Sequence, residues 1–136
     1  IAEWIINELT NKRQIRGFSD ALFSSIYNFE FARILEMVLE CDLLGVFNCA
    51  SRNSMSKYEF ALKIADVFDL DKSLIQPISI DDFSFQAKRG KNLTMNVGKL
   101  EKALSCKLPA IDDCIKLFYE DFRAGIPQKI RLPISE

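Results

Sequence analysis

Apolar residues recur at helical spacing from the first position: Ile1, Ile5 and Leu9 form one stripe with Ala2 and Ile6 beside it. This spacing predicts a helix over about residues 1–12. Asn11, Lys12 and Arg13 close it with polar and basic side chains, favourable near the negative end of a helix dipole. Residues 14–18 read as a short strand, and a polar loop follows around Ser19 and Asp20. Residues 23–27 read as a second extended piece leading into Asn28, a residue suited to cap a helix. The next helix, about 29–40, is lopsided. Glu30, Arg33, Glu36 and Glu40 share a narrow face, while Phe29, Phe31, Ile34, Leu35, Val38 and Leu39 cover much of the rest. A helix apolar over most of its girth must be covered on several sides.

Gly45 is expected to end that helix, and residues 46–50 read as a short buried strand. Ser56 to Glu59 has the spacing of a capping box, in which hydroxyl and carboxylate each satisfy a backbone amide. The helix it opens runs to about Phe68, with Ala61, Leu62, Ala65 and Phe68 expected inward. Residues 69–75 form a turn, and 76–80 a strand that Pro77 confines to an edge or a start. Residues 81–91 are loop-like and 93–95 extended; Asn96 is placed to cap a helix over about 97–104. After Pro109 a last amphipathic helix, about 110–123, buries Ile111, Ile115, Phe118 and Phe122. Asp112 and Asp113 in its first turn and Arg123 in its last suit its dipole. Gly125 stops it, and the tail from 125 to 136, with Pro127 and Pro133, reads as irregular.

At 136 residues, with 49% apolar side chains and eleven Phe, the chain has the length and apolar content for one core. Its 18 basic and 19 acidic residues nearly balance, which argues against nucleic acid or an anionic membrane as the principal partner. No apolar run approaches the roughly 18 residues of a membrane span, and residues 1–9 are amphipathic rather than a secretory leader. The expected location is the cytoplasm. Cys41, Cys49, Cys106 and Cys114 form no C-x-x-C and there is no histidine, so no Cys/His metal set is spelled out. Reduced, mostly buried thiols are expected, since each has apolar neighbours. The chain opens without Met, at or inside a helix, which suggests sequence upstream of Ile1.

Complete catalytic sets are missing. There is no glycine-rich dinucleotide turn, phosphate-binding P-loop or nucleophile elbow. Each Tyr is followed four residues later by Phe31, Leu62 or Arg123, so no Tyr-x-x-x-Lys pair exists. The adjacent carboxylates Asp81-Asp82 and Asp112-Asp113 are better explained structurally, the second pair as helix-start residues. The loop Lys88-Arg89-Gly90-Lys91-Asn92 is the best local candidate for an anion, because an arginine fork matches phosphate oxygens. A solvated charge cluster is its simpler explanation.

Several stretches in order add to this picture. Phe18-Ser19-Asp20, then Ser24-Ser25-Ile26-Tyr27 and Glu30-Phe31-Ala32; Gly45 to Ala50 with Ser56, Glu59, Phe60 and Ala61; Ile75-Gln76-Pro77-Ile78; and Ala87 to Leu93 with Lys99-Leu100 and Leu108-Pro109 resemble, in that order, passages in the C-terminal part of the dTDP-4-dehydrorhamnose reductases and the wider extended short-chain dehydrogenase family. Ser25 and Gly90 stand where that family has proline.

The resemblance implies an α/β fold: the C-terminal part of a Rossmann-type enzyme, helices with short strands, its N-terminal dinucleotide-binding half absent. It implies a substrate-binding portion over residues 1–124 and a tail over 125–136. The partners it implies are a nucleotide-diphospho-sugar, the N-terminal half of the parent and a homo-oligomeric copy, with NAD(P)H carried by the parent and no cofactor in this portion. Arg89 matches the arginine facing the diphosphate, Asn92 lies in the same motif, and Tyr27 matches a position near the cleft. The parent would be an oxidoreductase reducing a keto-sugar, this portion alone not catalytically competent. The alternatives are a non-catalytic regulatory or interaction module of the same architecture, or an epimerase or dehydratase.

Overall fold

A computed structural model describes residues 1–87, 89–126 and 129. Its elements run α1 (Ala2–Thr10), β1 (Ile15–Phe18), β2 (Leu22–Phe23), α2 (Asn28–Glu40), β3 (Met55–Ser56), α3 (Lys57–Val67), β4 (Ile75–Ile78), β5 (Asn92–Leu93), α4 (Gly98–Leu104) and α5 (Ile111–Arg123), with 3₁₀ turns at Lys72–Leu74 and Ile80–Asp82. The fold is α/β, as expected. β1 and β4 pair in parallel, Ile15 opposite Ile75 through Phe18 opposite Ile78. β2 lies between antiparallel β3 and parallel β5.

The main core forms where α1, α3 and α5 converge on β1 and β4, around Ile5, Leu9, Ile64, Ile111, Ile115 and Phe118. The capping box is made in full: the Glu59 amide donates to Ser56 Oγ (3.1 Å) and the Ser56 amide to Glu59 Oε2 (2.7 Å). β1 crosses tightly over this helix start, and a Cβ on Gly17 would sit 2.7 Å from Tyr58 Cα. α5 is held at its start by the Ala110 amide on Asp113 Oδ2 (3.0 Å) and the Ile111 amide on Asn53 Oδ1 (2.8 Å). A second, smaller cluster joins Ile34 to Ala50, Val97, Leu100, Leu104 and Leu108.

Several expectations need correction. α2 is not covered on several sides: it buries Ile34 alone, while Leu35 and Leu39 stay 47% and 69% exposed. It also ends ahead of Gly45, because Asp42 takes the left-handed conformation (φ 47°) and the Leu43 amide donates back to the Val38 carbonyl. Residues 46–50 form no strand. Val46 is 85% exposed, and its carbonyl instead accepts from Lys99 Nζ at 2.7 Å, since no described strand runs alongside to complete a ladder. Of residues 23–27 only Phe23 is in a strand, and Tyr27 rather than Asn28 holds the cap position of α2.

In α3 the inward residues are Phe60, Ala61, Ile64 and Ala65; Leu62 and Phe68 are only half-buried, because the face toward α1 and β1 lies one position earlier than read. Phe122 is likewise half-buried, and Cys114 takes its place on the inner face of α5. The four thiols are free, but Cys41 is exposed and only Cys114 is fully buried. In the tail, Ile126 and Lys129 are helical and the Lys129 amide donates to the Gly125 carbonyl; Pro127 and Pro133 lie outside the described residues.

Candidate functional site

The loop between β4 and β5 is fixed at both ends by one carboxylate. Asp20, in the turn after β1, accepts from Ser79 Oγ (2.7 Å) and the Ile80 amide (2.8 Å) at the loop's start. It also pairs with Lys91 Nζ (2.9 Å) at the loop's end. The Ile80 amide first, then Lys91 and Ser79, hold the Asp20 carboxyl well below the usual carboxylate range. Lys91 also pairs with Asp81, and the two carboxylates push its ammonium pKa up. The Leu22 amide donates to the Lys91 carbonyl (2.8 Å), which leads the loop into β5.

Between these anchors three rings gather. Phe83 and Phe85, two apart in this loop, meet with centroids 4.6 Å apart. Phe18 of β1 stands edge-on to Phe83 at 5.8 Å and tilted to Phe85 at 5.7 Å. The Arg89 guanidinium carbon lies 4.6 Å from the Phe85 centroid, a cation–π arrangement. Among the described residues Arg89 makes no ion pair. Lys91, read from sequence as part of the same basic cluster, is committed to Asp20 and Asp81 and is not a free anion ligand. Lys88 lies outside the described residues. Asn92 opens β5 just after this loop, and its Oδ1 accepts from the Thr94 amide (3.1 Å).

Tyr27 sits elsewhere. Its hydroxyl donates to Asp121 Oδ2 at 2.9 Å, tying the start of α2 to α5, and its ring packs against Phe29 and Phe118. Burial, reinforced by Asp121, raises the phenol pKa, so the proton stays on oxygen. Tyr27 lines a largely apolar cavity of about 650 Å³ with Ala2, Phe29, Phe60, Ile64 and Phe118; Arg89 and Asn92 do not line it. Arg89 in the loop and Asn92 at the first position of β5 thus stand three residues apart in one segment, and Tyr27 lies apart from both. Sequence reading missed Asp20, Phe83 and Phe85 as parts of this region. The Phe-x-Phe alternation was the available signal, but nothing local showed that Phe18 would meet it. Among the described residues no three acidic or thiol side chains gather as a metal set.

The family described as the RmlD substrate binding domain matches residues 5–124. A probable low-salt glycan biosynthesis reductase, Agl14, of Haloferax volcanii is 23% identical over 111 residues, covering 82% of this chain and 37% of that protein. Methionine adenosyltransferase 2 subunit beta of Rattus norvegicus is 38% identical over 64 residues, 47% of this chain and 19% of that one. Among solved structures, dTDP-4-dehydrorhamnose reductase from Bacillus anthracis in complex with NADP superposes with a TM-score of 0.82 at 19% identity, covering 89% of this chain and 43% of that one. At that identity the likeness speaks for the fold. The chain thus spans less than half the length of these proteins.

Proposed function

The chain belongs to the RmlD substrate binding domain family, and on that premise we propose that it holds a nucleotide-diphospho-sugar within an NAD(P)-dependent sugar-nucleotide reductase. The ordered motifs had pointed to this family, and the match over residues 5–124 bears that out. What carries the proposal within the molecule is Arg89: an exposed guanidinium, propped on Phe85, with no carboxylate of the described residues neutralising it. Such a fork can donate two charge-assisted hydrogen bonds to diphosphate oxygens. Asn92, three residues on, shapes the turn into Thr94, and Tyr27, bonded to Asp121, belongs to a separate cavity.

The share of catalysis assigned to this chain is binding and orientation, which raise the rate where they favour the transition state. Its own residues do not fit a nicotinamide dinucleotide, since its sequence has neither the glycine-rich turn nor the Tyr-x-x-x-Lys pair. The cofactor is therefore assigned to another part of the parent, and the cytoplasm, where sugar nucleotides are made, to its location. Phe31, Leu35 and Leu39 form an exposed ridge along α2, and the N-terminal half of the parent, or a second copy of the chain in its absence, is the cover proposed for it. The agreement with the NADP-bound reductase fold supports this division of labour.

The direct test is a titration of the protein with dTDP and UDP, repeated with Arg89→Ala. A charge-assisted contact contributes about 1.5–3 kcal/mol, so affinity should fall roughly tenfold or more. Binding that ignores the substitution would remove Arg89 from the site, and no binding of either nucleotide would remove the proposal.

A further inference from the structure

The three rings beside Arg89 are packed in a way that leaves one of them available. Arg89 lies over the ring of Phe85, and Phe18 supports both Phe85 and Phe83 from the side of β1. Phe83, 40° from the plane of Phe85, remains 42% exposed. A large aromatic side chain held in place by two others, yet left open to water, forgoes hydrophobic stabilisation unless something covers it. Its neighbours indicate what fits. The ring it meets, Phe85, carries Arg89, a cation unpaired among the described residues; the other cation of the loop, Lys91, is neutralised by Asp20 and Asp81. A ligand that covers Phe83 and satisfies Arg89 together is flat at one end and anionic at the other.

We propose that Phe83 is a stacking platform for the nucleobase of the bound nucleotide, with Arg89 taking the diphosphate attached to it. The inference rests on the reading that Arg89 binds a diphosphate, and adds where the base lies and how it is recognised. Stacking on a phenyl ring contacts the face of a base, which every base possesses, and carries no hydrogen-bond readout of its edge. The platform therefore accepts uracil and thymine alike, leaving selection between nucleotide sugars to contacts with the sugar. The clamp of Asp20 on Ile80 and Lys91 keeps the aromatic segment and Arg89 in one frame.

The test is a titration of the intact protein with dTDP, UDP and inorganic pyrophosphate, comparing the unmodified protein with Phe83→Ala and Phe83→Trp. Losing a stacked base weakens binding by roughly tenfold or more. Phe83→Ala should thus weaken dTDP and UDP to a similar extent and leave pyrophosphate unchanged. Phe83→Trp should retain nucleotide affinity and, in a Trp4→Phe background, show indole emission quenched by dTDP but not by pyrophosphate. If Phe83→Ala weakens pyrophosphate by the same factor, Phe83 merely shapes the loop and the platform is overturned. If dTDP binding is untouched by Phe83→Ala but falls with Arg89→Ala, the platform is overturned and the diphosphate reading stands. If the unmodified protein binds none of the three probes, both fall.

Discussion

α2 and α3 are both rich in apolar residues, but the molecule treats them differently. α3 lies against α1, β1, β4 and α5 and buries Phe60, Ala61, Ile64 and Ala65. α2, two residues longer, buries Ile34 alone. Its Phe31, Leu35 and Leu39, spaced four apart, form a straight ridge in solvent. The difference does not lie in helix-forming tendency. It lies in whether the rest of the described chain supplies a complementary face, and around α2 only α4 and the segment near Ala50 and Leu108 do so, on one side. An apolar stripe states that a surface wants cover; it does not say which polypeptide provides it.

The sharpest test of this contrast replaces one residue in each helix. Ile64→Ala, at a position 1% exposed, should destabilise the protein by about 2–5 kcal/mol through lost burial and a residual cavity. Leu39→Ser should change stability by no more than about 0.5 kcal/mol while reducing self-association in sedimentation velocity. Equal losses in urea unfolding would erase the distinction between the two helices. A protein that sediments as a compact monomer before any substitution would show that the α2 ridge does not seek a second copy.

A smaller effect is expected at the seam that seals α3. Gly17→Ala places a methyl group 2.7 Å from Tyr58 Cα, a backbone atom that cannot swing aside. The strand must shift, at a cost of about 1–3 kcal/mol, and a thermal melt indistinguishable from the parent's would mean that β1 does not approach α3 this closely.

The smallest effect concerns pH and the Asp20 clamp. Asp20 has its pKa lowered by folding, so its stabilisation is fully present above the ordinary carboxyl value of 3.8 and is lost as pH falls from there toward the lower folded value. Asp20→Asn should flatten this part of the stability–pH curve and leave the slope above pH 5 nearly unchanged. An unaltered acid limb would show that the clamp is not formed in solution.

Much of the architecture was legible in one dimension because its causes are local. The capping box at Ser56 and Glu59 needs only residues three apart. The strand at Ile75–Ile78 declares itself through the proline that keeps it at an edge, and the stripe of α5 repeats within its own length. Arg89 could be singled out because a guanidinium beside a glycine in a polar loop has a chemistry of its own. The fate of its neighbour Lys91 could not, since both carboxylates that neutralise it are ten or more residues away. The strand expected at 46–50 failed for a related reason: an apolar run has the propensity, but a ladder requires a second strand.

The sequence by itself determined the approximate helices, the capping box of α3 and the α/β class, because these depend on spacing and side-chain chemistry within a few residues. Only the tertiary structure decided which apolar faces are sealed, that Phe18 meets Phe83 and Phe85, and that Asp20 binds both ends of the loop carrying Arg89. Those outcomes depend on contacts between residues some sixty or more positions apart, and the energy of such a contact exists only once the intervening chain has closed.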